Sequence, residues 1–450
     1  MKENLIFNAT FNLTQKCNLG CSYCFTGGKT EKVMPFSIAK KGVDFLIKNA
    51  IETSPHQLNN GKRQADISFW GGEPLLEWGL LKSIAEYARK TAPSDVRINF
   101  AGTTNGTLLT PEKFDFLDAH QLFFLVSLDG TAETHNGYRI FKNGEGSHST
   151  IMRNMEKVLA RWPMYKARMS PYPKRIAHFY EDVKYLVEHG IYGLMFSPVY
   201  EHEWTEDHWK IWKEECIKVV DLMEEYKRKG INIMIEHFRG YCQADSSKWP
   251  CGAGRFYVGF DVDGSIWPCH RFIKFGDKRS WQEKEMCLGH LDVGITKPEL
   301  RQRFIDFKPK CEGCEFDSCT PCHGGCYAFN FETMGEIESH NPKICKYVEM
   351  QRAVSLYMLE KIPPEQSQQG SAKSCICYNL LYNDGTEWLP GGVDDPGVQC
   401  HCNNTNYQGN PDTAKVTRPL NLVKINPYEI LKRVEALEKR VSELESKKGE

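Results

Sequence analysis

Short β-rich runs alternate with amphipathic helical stretches through roughly the first 200 residues, and this alternation constrains the fold more than any other feature. The predicted strands are Asn4–Leu13, Ala65–Trp70, Val96–Gly102, Phe123–Leu128, Lys166–Ser170 and Tyr192–Pro198. The helical patterns between them include Ser37–Glu52, Leu75–Thr91, Thr150–Trp162 and His178–His189. Because strands that alternate with helices form parallel sheets, we predict an α/β fold, either doubly wound or curled into a partial (β/α)6 barrel of the TIM type.

A longer helical pattern follows the sixth strand, and its apolar residues recur at intervals of three and four. These residues are Trp209, Trp212, Cys216, Val219, Met223 and Tyr226. The spacing predicts a buried helix face. Free cysteine packs as a small hydrophobe, so Cys216 is predicted to be an inert core thiol.

The last part of the chain differs in composition from the rest. Lys361–Lys373 is polar and rich in Pro, Gln and Ser, which is typical of a linker. Two Cys-x-Cys pairs follow, Cys375/Cys377 and Cys400/Cys402, and they could form a metal site or simply paired thiols. A final amphipathic helix is predicted from about Pro427, for docking or dimerisation. We expect three regions: 1–230, 231–360 and 361–450.

Charge and targeting signals exclude several classes of function. Lys and Arg number 57 against 58 Asp and Glu, so nothing favours nucleic acid or an anionic membrane as a partner. No export signal and no run of about 20 apolar residues is present, which predicts a cytoplasmic protein. The chain nevertheless has 18 cysteines, and in a reducing compartment cysteines more often bind metal or react than form disulfides.

Three cysteines directly follow the first strand, as Cys17-x3-Cys21-x2-Cys24. Three thiolates on one loop can hold three irons of a cubane cluster and leave the fourth iron open to a small molecule. Loops at the carboxyl ends of parallel strands are also where such folds build active sites.

Two further motifs follow strands at the same predicted end of the sheet. Gly71-Gly72-Glu73-Pro74 comes after the second strand, where the glycines would allow close approach of a ligand and Glu73 could accept from an ammonium. Ser127-Leu128-Asp129-Gly130 comes after the fourth, with polar groups suited to ribose hydroxyls. Each motif alone is typical of a tight turn, but together they predict a ligand site.

These motifs together resemble the radical S-adenosylmethionine (SAM) superfamily over roughly residues 4–200. The resemblance implies that Cys17, Cys21 and Cys24 bind a [4Fe–4S] cluster whose open iron chelates SAM, and that reductive cleavage gives a 5′-deoxyadenosyl radical. It also implies which residues of this chain contact SAM. Tyr23 would contact the adenine, for which Tyr200 is a second candidate without a sharp motif of its own. Gly72 would contact the methionine part, Ser127 the ribose and Arg139 the carboxylate.

A second set of cysteines lies between residues 242 and 345 and resembles the SPASM domain, which carries two auxiliary [4Fe–4S] clusters. The resemblance assigns Cys251, Cys269 and Cys326, with Cys242, to the first auxiliary cluster, and Cys311, Cys314, Cys322 and Cys345 to the second. Cys319 could replace Cys322, and without Cys242 the first cluster would have an open iron. Zinc is the alternative for such paired knuckles. The chain would then hold three [4Fe–4S] clusters.

The residue after Cys269 bears on the reaction. Sulfatase maturases, which resemble this chain throughout, have an aspartate there, whereas this chain has His270 in Pro-Cys-His-Arg-Phe. This difference favours thioether crosslinking of a cysteine-containing precursor peptide, of the sactipeptide or ranthipeptide type, over formylglycine formation. Carbon–carbon crosslinking and epimerisation remain alternatives. His270 could act as a base or make a structural hydrogen bond.

The resemblance also implies partners. Thioether formation releases one electron, which an auxiliary cluster could accept, and the first cluster needs a reductant such as flavodoxin or ferredoxin. Only sixteen residues precede Cys17, so a separate protein or the C-terminal part is expected to bind the precursor's leader. The alternative to an enzyme is a non-catalytic protein, either an iron–sulfur electron carrier or a zinc scaffold. Such a protein would have no use for the Gly-Gly-Glu-Pro motif.

Overall fold

The structure is a computed structural model that describes residues 6–52, 63–239, 251–276, 285–308, 310 and 324–363. The strands are β1 (Asn8–Thr14), β2 (Arg63–Gly71), β3 (Val96–Thr104), β4 (Leu122–Ser127), β5 (Lys166–Met169), β6 (Gly193–Phe196), β7 (Met234–Ile235), β8 (Tyr257–Phe260), β9 (Ser265–Trp267), β10 (Gly289–His290) and β11 (Gly294–Ile295). The helices are α1 (Phe36–Glu52), α2 (Trp78–Thr91), α3 (Phe114–Ala119), α4 (Ala132–Asn136), α5 (His148–Arg161), α6 (Phe179–Glu188), α7 (Glu206–Arg228), α8 (Glu236–Arg239), α9 (Pro298–Ile305), α10 (Tyr327–Met334) and α11 (Pro342–Lys361).

The strands form one sheet in the order β11-β10-β9-β8-β1-β2-β3-β4-β5-β6-β7. From β8 through β1 to β7 the neighbours are parallel, and β8 to β11 continue as an antiparallel meander. Residues from β1 to β6 and from β8 line one common cavity, so the sheet curls around it without closing. The predicted partial α/β barrel is confirmed.

The sheet crosses the boundary that the sequence analysis placed at residues 230/231. β8 lies beyond that boundary, yet it pairs with β1 from Asn8↔Tyr257 to Phe11↔Phe260. The first strand is therefore held on both sides, by β2 and by β8. The cysteine loop that follows β1 thus starts from an interior strand of the sheet.

Side chains alternate between the two faces of the parallel strands. In β2, Ala65 and Ile67 are buried on the side away from the cavity, whereas Ser68 and Trp70 line the cavity. This period of two follows from the pleat. The face that packs on the helices is apolar, and the inner face carries the polar groups.

The second predicted helix divides at its start. Pro74–Glu77 forms a 3₁₀ turn and α2 begins only at Trp78. Pro74 stands at the first position of the turn, where its missing N–H costs nothing, and the Glu73 side chain caps it by accepting from the Leu75 N–H.

Helix α7 and the much later helix α11 pack together through aromatic rings. Trp212 is fully buried on α7, and its ring stacks on Tyr347 of α11 with 5.4 Å between centroids. Cys216 is fully buried in the same helix face, as the periodicity predicted. The last described helix is thereby fixed to the barrel.

A second, smaller core supports the residues around Cys269. It contains Trp267, Phe272, Phe275, Phe304 and Tyr327, all nearly inaccessible to solvent. None of the described helices is both long enough and apolar enough to span a bilayer. The predicted linker, the Cys-x-Cys pairs and the helix from Pro427 lie outside the described residues.

Candidate active site

The inner face of the sheet encloses a cavity of about 1550 Å³. Two groups of cysteines line it: Cys17, Cys21 and Cys24 from the loop after β1, and Cys251, Cys269 and Cys326 from the later part of the chain. Both groups are free thiols. The structure therefore brings the first predicted cysteine set and three of the second set to one shared space.

The thiols of the first loop differ in their surroundings. Burial raises the pKa of Cys17 to about 11, and burial also raises the pKa of Cys21. For Cys24, burial is opposed by Lys29, whose ammonium donates to the sulfur at 3.0 Å, and the pKa is lowered below the ordinary thiol value. The Thr26 hydroxyl lies 3.2 Å from the same sulfur. Cys24 is thus the thiol most readily ionised in this loop.

The donor set fits an iron–sulfur cluster. Iron–sulfur clusters are held by cysteine thiolates, one to each iron, and hydrogen bonds to the sulfurs tune their potentials. Here Lys29 supplies such a donor to Cys24, and the Asn105 amide lies 3.9 Å from the sulfur of Cys17. Within the described ranges, no three His, Cys, Asp or Glu side chains are arranged to hold a single metal ion.

The two glycines after β2 make room for the chain's own backbone. A Cβ at Gly72 would lie 1.9 Å from the carbonyl oxygen of Lys16, and one at Gly71, where φ is +144°, would lie 2.3 Å from that of Thr14. The Gly72 N–H donates to Thr14 at 2.7 Å and the Glu73 N–H donates to Lys16 at 2.8 Å. The two glycines were predicted to let a ligand approach the backbone closely. In the structure they let the backbone segment that leads into Cys17 approach closely.

Glu73 is completely buried and ties the turn after β2 to the end of β3. Its carboxylate accepts from the Thr104 hydroxyl at 2.8 Å, from the Asn105 N–H at 2.7 Å and from the Leu75 N–H at 3.0 Å. Burial raises its pKa to about 7, against the effect of these donors. The ligand ammonium predicted as a donor to this carboxylate would join three donors from the protein itself.

Asp129, in the loop after β4, makes hydrogen bonds with two predicted SAM-binding residues, Tyr23 and Arg139. Its carboxylate accepts from Arg139 Nε at 2.6 Å, from the Tyr23 hydroxyl at 2.6 Å and from the Ser170 N–H at 2.7 Å. Burial would raise the pKa of Asp129, but the Arg139 guanidinium holds it below its usual range. The structure therefore brings these predicted residues together. Asp129 was predicted to contact the ribose of SAM and Arg139 its carboxylate, and here the two side chains form an ion pair with each other.

The remaining predicted contacts lie further round the cavity. Ser127 and Gly72 line it directly. Tyr200 also lines it, but its ring stacks on Phe329 at 4.9 Å, on the side of the later cysteines. Tyr200 therefore lies beside α10, which begins directly after Cys326.

Cys251, Cys269 and Cys326 lie close enough to influence one another. Burial raises the pKa of Cys269, and the charges of Cys251 and Cys326 raise it further. Burial likewise raises the pKa of Cys251 to about 11, with Cys326 adding to the effect. A site that binds all three as thiolates would need positive charge from a bound metal.

Of the other predicted auxiliary ligands, only Cys345 is among the described residues. Its sulfur lies 3.0 Å from Nε2 of His340, and it does not line the cavity. The others lie outside the described residues: Cys242, Cys311, Cys314, Cys322 and the alternative Cys319.

His270 has the surroundings of a structural group. Its Nδ1 lies 2.6 Å from the Tyr257 hydroxyl, and its ring packs edge-on against Trp70. Burial lowers the pKa of His270 to about 3, helped by the charges of Arg168 and Arg271. The sequence left open whether His270 acts as a base or makes a structural hydrogen bond. This geometry matches the structural hydrogen bond.

Sequence reasoning missed several cavity residues. Arg271 forms ion pairs with Glu201 and Glu332, and its guanidinium lies 4.9 Å from the centroid of the Phe25 ring. Arg168 lines the cavity from β5. The strict alternation of polar and apolar residues in β5 could have placed Arg168 on the inner face.

Comparison with known proteins identifies the first part of the chain. Residues 11–173 match the family model of the Radical SAM superfamily. These residues form a radical SAM domain. The family uses SAM and a [4Fe–4S] cluster, which agrees with the three-thiol loop.

Two relatives match this chain well beyond that domain, and a third matches a shorter stretch. A cysteine-type anaerobic sulfatase-maturating enzyme of Clostridium novyi is 23% identical over 330 residues, 70% of this chain and 85% of that protein. The antilisterial bacteriocin subtilosin biosynthesis protein AlbA of Bacillus subtilis is 21% identical over 371 residues, 78% of this chain and 73% of that protein. A protein of Methanocaldococcus jannaschii is 29% identical over 185 residues, 41% of this chain and 60% of its own length.

Solved structures share the fold. The enzyme anSMEcpe with bound AdoMet and the Cp18Cys peptide has a TM-score of 0.63 and 19% identity, covering 79% of this chain and 98% of that one. Streptococcus suis SuiB bound to the precursor peptide SuiA has a TM-score of 0.53 and 14% identity, covering 76% of each chain.

The buried contacts of Glu73 generate a testable prediction. Glu73→Gln replaces one carboxylate oxygen by an amide N–H₂ group, so at least one of the three donors loses its acceptor. A buried polar group without a partner costs about 1–3 kcal/mol, and we expect the free energy of unfolding to fall by that amount in urea denaturation followed by circular dichroism.

Glu77→Gln is the matched control. Glu77 lies 3.6 Å from the Lys16 ammonium in a partly exposed ion pair, and such pairs contribute about 0–1 kcal/mol. Equal losses from the two variants would contradict the role given to Glu73.

Proposed function

We propose that this enzyme modifies a precursor peptide by forming thioether crosslinks between a cysteine sulfur and a carbon of the same peptide. The observation that carries the proposal is the shared cavity. Cys17, Cys21 and Cys24 line it together with Cys251, Cys269 and Cys326. A substrate in this space lies within reach of both groups of thiols.

In this proposal the first loop holds a [4Fe–4S] cluster with SAM, which supplies the adenosyl radical that abstracts a substrate hydrogen. The chain's own residues hold and shape the surroundings. Lys29 stabilises the Cys24 thiolate, and the Gly71-Gly72 turn fixes the approach to Cys17. Asp129 positions Tyr23 and Arg139 at the cavity wall.

The size and lining of the cavity support a peptide substrate. Small-molecule sites typically measure about 300–1,000 Å³, and this cavity reaches about 1550 Å³. SAM and the clusters held by the two groups of cysteines would occupy part of it. Peptide-bound structures of two fold neighbours, with Cp18Cys and SuiA, agree with such a use of the space.

The surroundings of Cys269 favour crosslinking over formylglycine formation. The residue after Cys269 is His270, which packs against Trp70 and Tyr257 and makes a hydrogen bond to the latter. No carboxylate stands at that position. In the proposal the later cysteines bind two auxiliary clusters, with Cys242, Cys311, Cys314, Cys322 and Cys345 completing the ligand sets that the SPASM resemblance implies.

Formylglycine formation on a sulfatase is the second candidate. It is favoured by the likeness to the Clostridium novyi sulfatase-maturating enzyme, which spans 85% of that protein. The two candidates need different substrates: a short cysteine-rich peptide for crosslinking, or a sulfatase. The gene beside that of the enzyme is therefore informative.

Mass spectrometry of the product tests the proposal. The reconstituted enzyme, SAM, dithionite and a cysteine-rich peptide from a neighbouring gene are expected to give a product lighter by two hydrogens per crosslink, because one C–H and one S–H are lost as a C–S bond forms. The linked cysteines should resist alkylation. Unmodified peptide, or conversion of a sulfatase-derived peptide alone, would contradict the proposal.

Iron counting tests the number of clusters. Three [4Fe–4S] clusters require about twelve irons per chain after anaerobic reconstitution. Cys269→Ala is expected to lower the count by about four, since one cluster loses a ligand. Cys216→Ala, whose thiol lies in the core, should leave the count unchanged. Fewer than about eight irons in the wild type would contradict three clusters.

A further inference from the structure

Arg168 is a charged side chain whose role the site described above does not explain. It lies on the inner face of β5, is half-buried and lines the cavity. Across the described ranges its guanidinium makes no hydrogen bond and no ion pair. Burial lowers the pKa of Arg168, and the charges of Arg139 and Arg271 lower it further. Withdrawing a cation from water without an acceptor is costly, so the position is suited to an anion.

The other cationic side chains that line the cavity are each engaged. The pairs are Lys29 with the Cys24 thiol, Arg139 with Asp129, Arg161 with Asp118, and Arg271 with Glu201. Lys166 also has an interaction of its own. Among the described residues, Arg168 therefore stands out as a cavity cation that makes neither a hydrogen bond nor an ion pair.

Arg168 lies close enough to residues beside both groups of thiols to act on them electrostatically. Its charge acts on His270, the neighbour of Cys269, and on His237. On the other side, Tyr23 and Asp129 of the SAM-binding region act on Arg168. An anion bound to Arg168 therefore occupies the part of the cavity between the first cysteine loop and the later cysteines.

The guanidinium geometry selects the kind of anion. Its fixed fork of N–H donors matches a carboxylate with two parallel hydrogen bonds. A peptide offers such a group in the side chains of aspartate and glutamate. SAM also carries a carboxylate, and the SAM affinity of an Arg168→Gln variant distinguishes the two sources.

We propose that Arg168 binds the side-chain carboxylate of an aspartate or glutamate in the peptide substrate and so selects for an acidic residue between the two thiol groups. This inference rests on the proposed peptide-modifying function. Arg168 would then set substrate specificity, while the cysteine loops provide the reactive groups.

The test measures binding without turnover. The reconstituted enzyme is saturated with SAM, no reductant is added, and two synthetic peptides are titrated by anaerobic calorimetry. The probes are acetyl-Gly-Cys-Gly-Gly-Asp-Gly-amide and its Asn counterpart, so that the side chain carries the sole carboxylate. We expect the Asp peptide to bind at least about tenfold more tightly, as a desolvated charge pair can provide.

Variants of Arg168 assign this preference to its side chain. Arg168→Gln should abolish the preference for the Asp peptide, and Arg168→Lys should keep part of it. Lys166→Gln removes the same charge from the same strand face and should keep the preference in full. The affinity for SAM, measured separately, should be equal in all four proteins.

Three results would overturn the inference. The first is that the wild type binds the two peptides equally or binds neither, a result that does not depend on the folding of any variant. The second is a preference that survives in Arg168→Gln. The third is a loss of SAM affinity in Arg168→Gln, which would place the SAM carboxylate there. Crosslinking of the neighbouring gene's peptide is measured independently, so failure of this inference is distinguishable from failure of the proposed function.

Discussion

The backbone contact between the turn after β2 and the segment leading into Cys17 is the constraint on which the site depends. Gly72 and Glu73 donate N–H groups to Thr14 and Lys16, and any side chain at Gly72 would collide with the Lys16 carbonyl. Because Glu73 is also bonded to the end of β3, three consecutive strand ends are joined. The cysteine loop is therefore anchored to the sheet at the point where it leaves β1.

Buried charge is the second organising feature of the cavity. Arg139 and Asp129 lie almost wholly inside the protein, and each would be unfavourable there without the other. Their pairing also fixes Tyr23, through a hydrogen bond from its hydroxyl. Arg168, by contrast, has no such partner within the described part of the chain. The cavity thus combines a closed, paired region beside the first cysteines with a positive site left for a bound anion.

Local patterns predicted much of this architecture. The period of two in the strands and the spacing of Cys17, Cys21 and Cys24 are properties of short segments, so they could be recognised without the fold. The pairing of β8 with β1 could not be recognised from the sequence, because it joins residues about 250 apart and has no local signal. For the same reason the sequence did not show that Glu73 and Asp129 accept hydrogen bonds from distant segments, which meet only in the folded chain.

The most direct test of the account is whether the first cysteine loop is needed to cleave SAM. Cys21→Ala should abolish formation of 5′-deoxyadenosine with dithionite, because two thiolates and no third ligand would remain on the loop. Cys287→Ala, whose sulfur lies against backbone carbonyls of Ile266 and Gly289, is the matched control and should retain it. Wild-type amounts of 5′-deoxyadenosine from Cys21→Ala would contradict the assignment of the site.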